Sequence, residues 1–178
     1  VFSTTYMSID AFDPTKVSNA EYKPEDKWIL SKLNSLIKEV TEAFESLHIY
    51  RATRAIHDFI LEDLSRWYIP LVRPRTWIEK DDPAKLAVYA ALYQVLTKLS
   101  LIMAPISPCI AEKMYGNLDG RKESVHFESW VKYDAKAIDL KLEEEMKIVR
   151  KFIEESLFAR ETKGIKRRWP VAELDCSP

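Results

Sequence analysis

Positively charged side chains interleaved with tryptophan and tyrosine have the clearest chemical capacity in this sequence. Arg66 and Arg73 stand seven residues apart within DFILEDLSRWYIPLVRPRTW (58–77), which places them on one helical face, and Arg75 follows at the expected helix end. Lys27, Trp28 and Lys32 open an earlier helical stretch. Arg160, Lys163, Lys166, Arg167 and Arg168 gather near the C-terminus beside Trp169. Guanidinium groups match phosphate geometry, and an aromatic ring can stack on an unpaired base, so the pattern suits nucleic-acid contact. Each group also has a plainer explanation. Trp28 fits a core position, Arg73 and Arg75 a solvated face around Pro74, and the C-terminal cations the negative end of a helix dipole. Residue types alone leave both readings open.

Other chemistries find little support. Asp58, Glu62 and Asp63 span about one helical turn, and Glu62 is placed to pair with Arg66 four residues on. His48, His57 and His126 form no ligand-spaced cluster. Cys109 and Cys176 lie far apart with no CxxC, so neither a zinc site nor a disulfide scaffold is expected, and free thiols fit a reducing cytoplasm. Cys109, between prolines and an apolar run, is expected to be a small buried residue. No phosphate-binding GxxxxGK[ST], HExxH or GxSxG occurs.

The elements that must position these groups read as helices. With only 3 glycines in 178 residues and abundant Leu, Ile, Ala, Glu and Lys, hairpins are disfavoured. Residues 1–12 read as the last turns of a helix, ended by Asp13-Pro14. From Glu25, Trp28, Ile29, Leu33, Leu36, Ile37, Val40, Phe44 and Leu47 form one apolar stripe. A second helix from Tyr50 carries Phe59, Ile60, Leu64, Trp67, Tyr68, Leu71 and Val72, with a kink predicted at Pro70. Pro83 opens a third, with Leu86, Tyr89, Leu92, Tyr93, Leu96, Leu99 and Met103 inward. Pro108 opens a short helix ending at Gly116 or Asn117. Residues 121–134 read as an irregular or briefly extended connector. A last helix over about 143–163 offers Met146, Val149, Phe152, Ile153 and Leu157 as its inner face, capped by Gly164. The expected fold is all-α: an up-down bundle of about four long helices over residues 1–164, with short helices and an irregular C-terminal junction over 165–178.

With 27 basic and 28 acidic side chains the formal net charge is −1, which argues against coating nucleic acid by bulk charge but leaves room for a local basic face. No apolar run approaches the length of a membrane span and no secretory signal is visible. Beginning at Val1 and stopping at Pro178, the chain reads as excised from something longer.

The segments DKWILSKLNSLIKEV, EDLSRWYIPLVRPRTW, LTKLSLIMAPISPCIAEKMYGNL and SVHFESW resemble, in order and spacing, the anticodon-binding domain of class I aminoacyl-tRNA synthetases. Within the subgroup for isoleucine, valine, leucine and methionine, the RWYI…RPRTW segment and the terminal ARETKGIKRRWPVAEL are most similar to isoleucyl-tRNA synthetases of the archaeal and eukaryotic type. Cys109 departs from the aromatic or apolar residue common after the SP of that motif. The resemblance implies a parent that activates isoleucine with ATP and Mg²⁺ and charges its tRNA. The ATP-site signatures HIGH and KMSKS are absent here, so no catalytic residue, cofactor or metal is expected in this chain. Its implied task is to hold the anticodon stem-loop of the isoleucine tRNA in the cytoplasm, as a monomer in isolation, alongside the parent's catalytic and C-terminal domains. The implied contact residues are Lys27, Trp28, Lys32, Arg66, Arg73 and Arg75, then Arg167 and Arg168. Two alternatives stand beside it: the same domain of a valyl-tRNA synthetase, or a non-catalytic helical scaffold binding a protein partner through a Trp- and Tyr-rich surface. Trp67, Trp77, Trp130 and Trp169 could serve either the tRNA or the scaffold reading.

Overall fold

The computed structural model describes residues 2–14 (side chains from residue 5), 20–79, 82–118 and 122–171; Val1, Gly120, Cys176 and the last seven residues of the expected junction lie outside these. Helices are the only regular structure among the described residues, and the fold is all-α. The chain divides into two compact units, Val1–Asp139 and Leu140–Pro178.

In the first unit α1 (Phe2–Ile9) is short, and Ala11 reverses the chain at a φ of 49°. Then α2 (Pro24–Glu45) begins with Pro24 in its first turn, and Asp26 accepts a hydrogen bond from the Lys23 N–H at 3.0 Å. A carboxylate there satisfies a helix-start donor and complements the positive end of the dipole. Trp28, Ile29, Leu33, Leu36, Ile37 and Val40 are buried, as the stripe predicts. Leu47 is not. It follows the helix end at a φ of 60° and is 83% exposed, because the three-residue turn to the next helix takes it off the stripe.

The second stave is composite: α3 (Ile49–Asp58), a π-helical stretch (Phe59–Tyr68), α4 (Ile69–Val72) and a 3₁₀ turn (Arg73–Thr76). The break in α geometry thus precedes Pro70 rather than sitting at it. In an α-helix the proline ring would meet the Arg66 carbonyl and deprive it of a donor. The wide turns shift the ladder beforehand, and the Ile69 N–H bonds to the Leu64 carbonyl, five residues back. The buried positions Ile56, Phe59, Leu64, Tyr68 and Val72 keep one face across this change, their five-residue step falling inside the wide stretch. Ile60 and Trp67 are only half-buried and Leu71 is 43% exposed.

Asp82 caps α5 (Pro83–Met103), accepting from the Ala84 N–H at 2.8 Å. By length and apolarity α5 would suffice to cross a membrane, with a mean hydropathy of 1.5 over its most apolar window, which corrects the reading that no run approaches a span. The reason is its central place. Ala87, Val88, Ala91, Leu92, Val95, Leu99 and Ile102 are buried around its circumference, against α2, α6 and the 3₁₀ turn, so no polar face survives.

Then α6 (Pro108–Asn117) packs Ala111 and Tyr115 against Val125 of the connector. Cys109 is exposed rather than buried: Ala111 and Tyr115 occupy the inner face and the first turn points Cys109 outward. The connector forms 3₁₀ turns at Val125–Phe127 and Ala135–Ala137, and returns to α2 where the Asp134 N–H donates to Asn34 and the Asp139 N–H to Ser31.

In the second unit α7 (Leu140–Thr162) ends before Gly164, whose φ of 65° only glycine adopts freely. Of its predicted inner face, Met146 and Leu157 are half-buried while Val149, Phe152 and Ile153 are 47, 44 and 37% exposed, and no residue of α7 is fully buried. The compact first unit closes at Asp139, so its long staves are α2, the composite helix and α5, and α7 stands in a unit of its own.

Candidate nucleic-acid interface

The antiparallel pair formed by α2 and the composite helix carries most of the candidate residues, cross-linked at three levels. At one end lies a buried polar cluster. Asp26 is wholly buried, and its Oδ1 accepts from the Tyr68 hydroxyl at 2.7 Å and from Arg75 Nη1 at 3.0 Å. Arg75 Nη2 donates to Asp26 Oδ2 and to the Ala84 carbonyl, both at 2.9 Å, and Nη1 also reaches Glu25 at 3.0 Å. One guanidinium therefore ties together the start of α2, the end of the composite helix and the start of α5. Midway, Lys32 pairs with Asp63 at 3.5 Å. Towards the far turn, Arg51 pairs with Glu39 at 3.2 Å.

This arrangement sorts the candidates. Trp28 is 2% exposed and belongs to the core, where its ring cannot meet a base. Arg75 is 9% exposed and committed to Asp26, so it is a structural clamp rather than a phosphate contact. The sequence could not separate Arg75 from Arg73, because the 3₁₀ turn sends one inward and the other out. Lys27, next to Asp26 in sequence, and Arg73, two residues before Arg75, are exposed, as is Lys23. Lys32 is half-exposed. Arg66 is exposed and forms the expected pair with Glu62. Arg167 and Arg168 are exposed in the second unit, described by itself. There Arg160 bends back to the Trp169 carbonyl at 2.9 Å, and Lys166 lies over the Trp169 ring at 5.5 Å, so that face of the indole is occupied.

Three residues were missed by sequence reasoning: Tyr50, Arg51 and Arg54. With Lys32, Glu39, Asp58 and Asp63 they line a cleft of about 310 Å³ between α2 and the composite helix, floored by Leu36 and Phe59. Arg51 and Arg54 fall at helical spacing off the buried positions Ala52 and Ile56, which was the available signal.

The Tyr68 hydroxyl is raised well above the ordinary tyrosine value, chiefly by burial and next by the Asp26 carboxylate. Folded Tyr68 stays neutral while the unfolded chain releases its proton near pH 10, so the stability it contributes is full below that pH and is lost as pH rises past it. Tyr68→Phe is expected to cost about 1 kcal/mol at neutral pH and to flatten the alkaline decline. Urea unfolding at neutral pH and at about pH 11 measures both; an equally steep decline in the variant would refute the assignment.

Among the described residues no group of three or more His, Cys, Asp and Glu is placed to hold a metal ion. What the geometry defines is an all-α domain with a rigid, cation-bearing helix pair. Residues 26–175 match the family described as the anticodon-binding domain of tRNA ligase, and the chain belongs to that family. Relatives over nearly its whole length are isoleucine–tRNA ligases: that of Methanothermobacter thermautotrophicus is 51% identical over 98% of this chain. Those of Thermococcus kodakarensis and Methanopyrus kandleri are 50 and 46% identical over 98 and 97% of it. The chain spans about 17% of the length of these curated relatives.

Proposed function

We propose that this chain is the tRNA-binding module of an isoleucine–tRNA ligase, holding the anticodon stem-loop while the parent's catalytic domain joins isoleucine to the tRNA with ATP and Mg²⁺. The observation that carries the reading is the identity of about half over essentially the whole chain to archaeal isoleucine–tRNA ligases, which favours isoleucine over the valine alternative. The contact surface is assigned to Lys27, Lys32, Arg66 and Arg73, with Arg167 and Arg168 second. The functional domain is assigned to residues 1–164, with 165–178 as a junction toward a further domain; that the family match continues past Asp139, to residue 175, supports counting α7 with the domain. The place of action is the cytoplasm.

The test is titration of isoleucine tRNA against the chain at several salt concentrations. A scaffold reading draws on the exposed Trp77, Phe127 and Phe158, and gains if no tRNA binds even at low ionic strength. Because HIGH and KMSKS are absent from the sequence, the 178-residue chain is expected to show no isoleucine-dependent exchange of pyrophosphate into ATP. Exchange by a pure sample would overturn the assignment of a binding role alone.

A further inference from the structure

The cleft between α2 and the composite helix has a composition that phosphate binding does not explain. Its three cations are each matched by a carboxylate: Arg51 with Glu39 at 3.2 Å, Lys32 with Asp63 at 3.5 Å, and Arg54 with Asp58 at 3.9 Å. The charges cancel, so the cleft exerts little pull on a polyanion. It does present paired donors and acceptors above an apolar floor of Leu36 and Phe59, which are 5 and 3% exposed. At its rim stands Tyr50, 74% exposed, whose hydroxyl accepts from Arg54 Nη1 at 3.2 Å. That bond also raises the Arg54 guanidinium above its ordinary value. An aromatic ring held by its hydroxyl, with its face open, beside donors and acceptors of fixed spacing, suits a planar heterocycle with polar edges. At about 310 Å³ the cleft is at the small end of ligand sites, which begin near 300 Å³.

We propose that this cleft receives one unpaired nucleobase of the bound RNA, stacked on Tyr50 and read at its edge by the Arg51–Glu39 and Lys32–Asp63 pairs. The inference rests on the tRNA reading above and deepens it. Discrimination and attraction are then divided: the neutral cleft selects the base, and the cations nearer the clamp hold the backbone.

The test uses the 178-residue chain and anticodon stem-loop hairpins in which each loop nucleotide in turn is made abasic. For the unaltered chain, one abasic position is expected to weaken binding about 5- to 150-fold. Tyr50→Ala is expected to weaken the intact hairpin by a similar factor, to abolish the effect of that one abasic position, and to leave the salt dependence unchanged. Tyr50→Phe keeps the stacking face and restores most of the affinity. Tyr50 is exposed, so its replacement should leave the thermal unfolding of the chain unaltered. If Tyr50→Ala binds the intact hairpin as well as the unaltered chain does, or if its loss is equal at every loop position with a shallower salt slope, the base pocket is wrong while the tRNA reading stands. If the unaltered chain binds no hairpin at any salt concentration, the tRNA reading falls and the pocket with it.

Discussion

Replacing Asp26 with alanine is expected to destabilise the fold by about 3–5 kcal/mol, more than any surface substitution in the chain. Asp26 is fully buried and neutralises Arg75, itself 9% exposed, through two charge-assisted bonds of 2.9 and 3.0 Å. Removing the carboxylate leaves a guanidinium in a poorly solvated place with Glu25 as its remaining anionic partner, and leaves the Tyr68 hydroxyl without its acceptor. Set against a total stability of about 5–15 kcal/mol for an ordinary domain, that loss removes a large part of the margin. Urea unfolding followed by the circular dichroism of the helices gives the number. Arg75→Ala should behave alike, whereas Arg73→Ala, two residues away on the exposed side, should stay within about 0.5 kcal/mol of the parent. The double variant Asp26→Leu with Arg75→Met should recover much of the loss, since no charge is then buried unpaired. A cost for Asp26→Ala below about 1 kcal/mol would show that the cluster holds nothing together.

The same cluster shows where the sequence was legible. Apolar periodicity and the opening prolines located α5 and α6 almost to the residue and α2 to within a turn, although α5 is buried all round and its predicted Leu86, Tyr93, Leu96 and Met103 are only half-buried. Pro70 was read correctly as incompatible with a plain α-helix, but the local rule names the defect without naming its remedy. Whether the chain kinks at Pro70 or widens ahead of it depends on keeping Phe59, Leu64 and Tyr68 on the face toward α2, a tertiary demand. Arg75 failed for a related reason. Its partner, Asp26, is 49 residues away, and a buried arginine looks like an exposed one until that partner is placed. The apolar stripe of α7 was visible as a stripe, but periodicity says only that a face wants cover. Lys27 and Arg73 could be read as exposed cations, and the cleft around Tyr50 could not be read at all, because it exists only between two helices.

Raising the salt concentration from 50 to 200 mM is expected to weaken tRNA binding about 20- to 40-fold, if Lys27, Arg66 and Arg73 each neutralise about one phosphate. The formal net charge of −1 supplies no general attraction, so this local surface must account for nearly all the salt sensitivity. Arg73→Ala should then weaken binding to cognate and non-cognate tRNA alike and lower the slope of log affinity against log salt by about 1. Arg66 already faces Glu62, and a phosphate must displace that carboxylate to be neutralised by the guanidinium. Glu62→Gln is therefore expected to strengthen tRNA binding a few-fold at low salt and to steepen the slope, the opposite of Arg66→Ala. Equilibrium titrations of the three variants at four or more salt concentrations distinguish the cases. If Glu62→Gln and Arg66→Ala change affinity in the same direction, the Arg66–Glu62 pair is a feature of the helix surface alone, and the phosphate contacts lie nearer the Asp26–Arg75 clamp, on Lys27 and Arg73.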